Sequence, residues 1–172
     1  MGRQIYGMED LHEVLLQEDH VCLDATELSK ALEALGKGKA QLTSFFLCHA
    51  LCHTVEASGL SESPYNASSP DELALVCAAK ALGLGFVRLE QKHMVLMVGK
   101  AFERLLEAYG WQGGAFKAEL LEVCEFDNVR KRMSVLLRMP DNELVLYVKG
   151  ADSSVLPHLA ERGSLYTTTV WV

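Results

Sequence analysis

The chain has 172 residues, enough for one domain with a buried core, and its 49% hydrophobic and 23% charged residues are those of a folded globular protein rather than a disordered one. No apolar run approaches the ~20 residues of a membrane-spanning helix, and the opening residues carry neither a secretory core segment nor the Ser or Thr of a myristoylation signal. A net charge of -7 without a long basic stripe argues against nucleic acid as a partner, because such binding rests on phosphate neutralisation by Lys and Arg.

In chain order, residues 26–35 predict a short amphipathic helix with Leu28, Leu32 and Leu35 on one face and Gly36 at its end. Gly36-Lys37-Gly38-Lys39 reads as a turn, since no Lys-Ser or Lys-Thr closes a phosphate-loop pattern. A second, largely buried helix is expected over 41–57, apolar on several faces through Leu42, Phe45, Phe46, Leu51 and Val55. It carries Cys48 and Cys52, and His49 and His53, each pair at helical i, i+4 spacing. Zinc needs further ligands that the sequence does not identify, so buried thiols and ordinary helix histidines are the better reading and no metal site is assigned. Five cysteines without a CxxC pair fit reduced thiols rather than a disulfide framework.

After a Ser- and Gly-rich loop, Ser69, Pro70 and Glu72 form a strong helix start: Ser as N-cap, Pro at the first helical position, and Glu completing a capping box. This helix is expected to stop near Leu82, before Gly83 and Gly85. Strands over 86–89 and 94–98, joined at Gln91-Lys92, predict a hairpin. Residues 101–109 read as a helix broken by Gly110, Gly113 and Gly114, and 119–126 as the next strand. Strands over 133–139 and 143–149 then flank the Pro140-Asp141-Asn142 turn, and a short helix is expected over 154–160.

The last hairpin gathers chemistry on one rim. The approach to its first strand (Phe126, Arg130, Lys131, Arg132) and the exit from its second (Lys149, Gly150, Asp152) lie at the same end of the sheet. Taken as residues alone, Glu72 reads as a helix cap, Phe126 as a core aromatic at a strand edge and Lys149 as a solvated strand end.

Phe126-Asp127-Asn128-Val129-Arg130-Lys131-Arg132-Met133-Ser134, Lys149-Gly150-Ala151-Asp152 and Ser69-Pro70-Asp71-Glu72 resemble three signature motifs of P-type ATPases, in the family's order. The Ser-Pro-Asp-Glu run, the full Arg-Lys-Arg-Met-Ser run, Asp152 where ion pumps usually carry Pro, and Cys52-His53-Thr54-Val55 all favour the type IV branch, the phospholipid flippases. The resemblance implies the nucleotide-binding domain: an α+β fold with an antiparallel sheet of about six strands flanked by helices, whereas the strand reading above supplies five. It further implies ATP-binding roles for Phe126 (stacked on adenine), Glu72 (at its edge) and Lys149 (closing the pocket).

In that family the γ-phosphoryl group of Mg-ATP passes to an aspartate in an Asp-Lys-Thr-Gly-Thr motif, which this sequence does not contain. The resemblance therefore implies a non-catalytic chain that binds ATP, with Mg2+ held mainly by other parts of a parent enzyme. That parent would be an integral membrane phospholipid transporter, its phosphorylation and actuator domains the partners of this cytosolic domain. Residues 1–172 are expected to be a single domain fragment that starts inside a larger protein. It departs from the family at its end, where 163–172 replace the expected further helices, strands and Gly-Leu-Arg-Thr-Leu element, and at 101–109, an apparent insertion. Two other readings stay open: an interaction module that has kept the fold and lost the ligand, and the nucleotide domain of an ion pump.

Overall fold

The computed structural model describes residues 39–58 and 65–158. The helix expected over 26–35, the turn at 36–38 and the departing segment 163–172 lie outside the described residues.

Helix α1 (Lys39–Leu51) buries Phe46, Leu47, Ala50 and Leu51, so packing of its apolar faces, more than intrinsic propensity, holds it. It ends six residues earlier than its apolar pattern predicts, at Leu51 rather than 57, and the reason is His53. The His53 imidazole bonds the carbonyl of Ala50 and the N–H of Val55, so the chain turns out of the helix instead of continuing it. The released segment forms β1 (Glu56–Ala57), which pairs antiparallel with β2 (Tyr65–Asn66). Strands of two residues carry no alternation, which is why the sequence reads there as helix end and loop.

Helix α2 (Pro70–Ala81) starts and stops as its residues predict, with Gly83 at φ 107° just beyond its C-cap Leu82. Val76 and Ala79 are buried where α2 meets α1 and the sheet. The main sheet comprises β3 (Leu84–Glu90), β4 (His93–Val98), β5 (Phe116–Asp127), β6 (Arg132–Arg138) and β7 (Leu144–Gly150). Its order is β3-β4-β5-β6-β7 and every pairing is antiparallel. The expected fold class is thus observed: an antiparallel sheet with helices, its five strands supplemented by the two-stranded ribbon.

Alternation decides which face is covered. Along β6, Met133, Val135 and Leu137 are buried while Ser134, Leu136 and Arg138 point the other way. Tyr147 on β7, opposite Val135, joins them, and the core between this face and the helices includes Leu47, Leu51, Leu84, Leu96, Phe102 and Phe116. The 101–109 segment resolves into α3 (Glu103–Leu106) and a 3-10 turn (Glu107–Tyr109). It is anchored to α1 by the Tyr109 hydroxyl, 2.6 Å from Ser44 Oγ, and by Phe102 edge-on to Phe46. After β7, α4 (Asp152–Val155) begins two residues earlier than expected and continues as a 3-10 turn to His158.

Candidate functional site

Glu72 is placed by the start of α2. Ser69 is the N-cap, its Oγ accepting the N–H of Glu72 at 3.4 Å, and Pro70 opens the helix. The Glu72 carboxylate, however, is engaged elsewhere than at the cap. Its Oε2 accepts both the backbone N–H and the hydroxyl of Thr54, at 3.1 and 2.8 Å, and its Oε1 lies 3.0 Å from the ammonium of Lys149.

Lys149 comes from β7, where it pairs across from Met133 on the covered face, and so reaches α2 from beneath. The two side chains are 11% and 13% exposed, so this ion pair is nearly dry, not a solvated surface contact. Burial pushes the Glu72 carboxyl up, but the Lys149 charge and hydrogen bond, together with the two Thr54 donors, outweigh it and leave the group below the ordinary carboxylate value. Glu72 is therefore ionised at neutral pH.

Thr54 owes its position to the same His53 that ends α1. Nδ1 of His53 accepts the Val55 N–H at 3.1 Å, which puts the ring proton on Nε2, where it is donated to the Ala50 carbonyl at 3.0 Å. Burial lowers the His53 pKa to about 4, the bond to Ala50 opposing it and the Lys149 charge adding to it. Neutral His53 thus holds the turn from which Thr54 donates.

Phe126 lies near the end of β5. Cys124 pairs with Ser134 and Asp127 with Arg132, so Glu125 and Phe126 together oppose Met133 in a bulge. Phe126 is 58% exposed, which removes its core alternative. The rim predicted from the hairpin does form, since Asp127, Arg132 and Gly150 are aligned across three strands. Its cations are already partly engaged: Arg130 is paired with Asp127 and donates to the Glu125 carbonyl at 2.6 Å, and Arg132 donates to Ser154 Oγ at 3.0 Å.

A groove of about 440 Å³ has Phe86, Leu89, Met94, Leu120 and Val123 among its apolar walls and His53, Thr54, Glu56, Arg88 and Glu125 among its polar ones. A second groove of about 350 Å³, lined by Asn66, Ala67, Ser68 and Glu125, shares Thr54 and Glu56 with it. Of the three residues singled out in the sequence, Glu72 and Lys149 are brought into contact. None of the three lines either groove; Thr54, which bonds Glu72, and Glu125, the neighbour of Phe126, line both. Thr54 and His53 join the site, although in the sequence they stand out only as part of a family-like run. Among the described residues no three His, Cys, Asp or Glu side chains converge as metal ligands. Nor is any described helix long and apolar enough to cross a membrane.

Residues 41–161 match the family described as P-type ATPase, cytoplasmic domain N. The chain is 36% identical over 137 residues to Phospholipid-transporting ATPase IH of Homo sapiens, covering 72% of this chain and 11% of that protein. It is 38% identical over 133 residues to Phospholipid-transporting ATPase ID of Mus musculus, with 76% and 10% covered. With Phospholipid-transporting ATPase dnf2 of Schizosaccharomyces pombe it shares 41% identity over 116 residues, with 67% and 7% covered. The chain thus spans about a tenth of the length of these relatives.

Proposed function

The chain belongs to the P-type ATPase cytoplasmic N-domain family, in its type IV phospholipid-transporting branch, and from this premise we propose that it binds ATP for presentation to a phosphorylatable aspartate outside its own sequence. The observation that carries the reading is the meeting of Glu72, from the Ser-Pro-Asp-Glu motif, with Lys149, from the Lys-Gly-Ala-Asp motif, a pair that Thr54 links to a groove which neither of them lines. Two motifs distant in sequence converge on one nearly dry ion pair.

In this reading the adenine lies along the groove, its exocyclic amine donating to Glu72. Phe126 swings from its exposed position on the β5 bulge to stack on the base, and Lys149 keeps Glu72 ionised while adding positive charge on the phosphate side. Mg2+ arrives with the phosphates and is held mainly outside this chain. The parent is a membrane-embedded phospholipid transporter, and the domain acts on its cytosolic side with the phosphorylation and actuator domains. No residue of this chain is assigned a catalytic role.

The test is a titration of ATP into isotope-labelled 172-residue chain, with phosphate release assayed in parallel. Weak binding is expected, near millimolar, or about 4 kcal/mol. Shifts should concentrate at Glu72, Phe126 and Lys149, without turnover above a buffer control. Saturating ATP without any shift would favour the interaction-module reading; turnover would overturn the non-catalytic one.

A further inference from the structure

We infer that Thr54 is a positioning residue for Glu72, holding its carboxylate so that the site prefers a purine with an amino group at C6 over one with a carbonyl there. The inference rests on the ATP-binding reading and deepens it.

An ionised carboxylate offers about four lone-pair directions and no donor. Three are taken. Oε2 accepts the Thr54 N–H at 3.1 Å and the Thr54 hydroxyl at 2.8 Å, and Oε1 faces the Lys149 ammonium at 3.0 Å. One acceptor direction, on Oε1, remains. Because both Thr54 donors converge on the same oxygen, the carboxylate plane is fixed by one residue from the α1–β1 turn and one from β7, and it cannot rotate without losing both Thr54 bonds. Thr54 also lines both grooves, so the residue that fixes Glu72 connects that carboxylate, which lines neither, to the space a ligand would occupy.

A single fixed acceptor discriminates between purines. The amine of adenine donates to it, whereas the C6 carbonyl of hypoxanthine would face it acceptor to acceptor and leave both unsatisfied. A freely rotating carboxylate would turn aside and discriminate less. The hydroxyl of Thr54 is the part of this device that a side-chain substitution can remove, because the backbone donor survives any replacement except Pro.

The experiment compares wild type, Thr54→Val and Thr54→Ser in the 172-residue chain, each titrated with ATP and with inosine triphosphate. A second readout needs no nucleotide: the pH titration midpoint of the Glu72 side-chain carboxyl followed by carbon NMR. Val keeps the shape and removes the hydroxyl; Ser keeps the hydroxyl. Thr54→Val is expected to weaken ATP binding by about three- to tenfold, leave inosine triphosphate nearly unchanged, and raise the Glu72 midpoint, with Ser restoring all three. Should Thr54→Val not fold, Thr54→Ala removes the same hydroxyl and is read in the same two ways. An unmoved Glu72 midpoint overturns the positioning role whatever the nucleotides do. An unchanged preference between the nucleotides, in a variant that still binds ATP, overturns the selectivity. Wild type that binds neither nucleotide overturns the ATP-binding reading itself, and the selectivity with it.

Discussion

The ammonium of Lys149 lies 3.0 Å from Oε1 of Glu72, joining the end of β7 to the first turn of α2. An ion pair so little exposed is costly to break from one side, because the surviving charge is left without a partner in a place that water reaches poorly. Glu72→Gln is therefore expected to destabilise the domain by about 1–3 kcal/mol, more than a helix-cap role alone would suggest. A double-mutant cycle with Lys149→Met, read by urea unfolding, should give a coupling of about 1–2 kcal/mol. Additive single-mutant effects would mean that the pair is no more than a contact of convenience.

Phe126 supplies the reverse case. At 58% exposure its ring contributes little to the core, so Phe126→Ala should leave the melting temperature within a few degrees of wild type. If the ring stacks on a base, the same substitution removes about 1–3 kcal/mol of ATP binding, and Phe126→Trp retains part of it. A folded Phe126→Ala that binds ATP like wild type would remove Phe126 from the site.

These two residues mark what the sequence disclosed and what it hid. The β6–β7 hairpin was legible because Met133, Val135 and Leu137 alternate with polar or half-exposed neighbours and Pro140-Asp141-Asn142 fixes the turn; Asn142 indeed takes φ 70°. The start of α2 was legible because capping is local chemistry. The Glu72–Lys149 contact was not, since nothing in either motif states that one carboxylate will choose a lysine across the core over its own helix cap. The end of α1 was hidden for a related reason. The apolar pattern to Val55 is real, and Val55 is buried, but the chain reaches that burial through a turn held by His53 rather than through helix. The bulge that doubles Glu125 and Phe126 against Met133 depends on pairing between strands, which a single strand's alternation cannot reveal.

Gly150 belongs to the motif for a steric reason that can be tested separately from binding. A Cβ there would run into the Lys131 carbonyl oxygen, in the β5–β6 turn, and stand 2.5 Å from Cβ of Arg132, which opens β6 and pairs with Gly150. Neither neighbour is the free end of a flexible chain, so the turn itself must shift. Gly150→Ala is expected to cost about 1–3 kcal/mol and to disturb the Ala151 N–H bond to the Lys131 carbonyl, now 3.0 Å. Thermal melting together with amide exchange at Ala151 checks this, and unchanged values in both would show that the rim tolerates a methyl group.

The dependence of stability on pH should be set largely by His53, whose ring is buried edge-on against Phe86 at 4.6 Å. Burial, opposed by the bond to Ala50, lowers its pKa from 6.5 in the ordinary state to about 4 in the fold. Between those values the unfolded chain binds the proton and the folded one does not. Stability is therefore fully present above about 6.5 and is lost as pH falls towards about 4, by roughly 3 kcal/mol in all. The charges that act on the ring are Lys149, which disfavours the imidazolium, and Glu72, which favours it. His49, lowered mainly by burial, adds a loss of the same sign, and Glu72, held below its usual value, adds another at lower pH as its carboxyl protonates. Protonated His53 also has no lone pair for the Val55 N–H, so the turn carrying Thr54 should loosen before the domain unfolds. His53→Asn keeps a short acceptor near that N–H but does not titrate. Urea unfolding of both proteins at neutral pH and at a pH of about 5 should show a less stable variant at neutral pH and a shallower fall on acidification. A variant as steeply acid-sensitive as wild type would mean that the proton is taken up elsewhere.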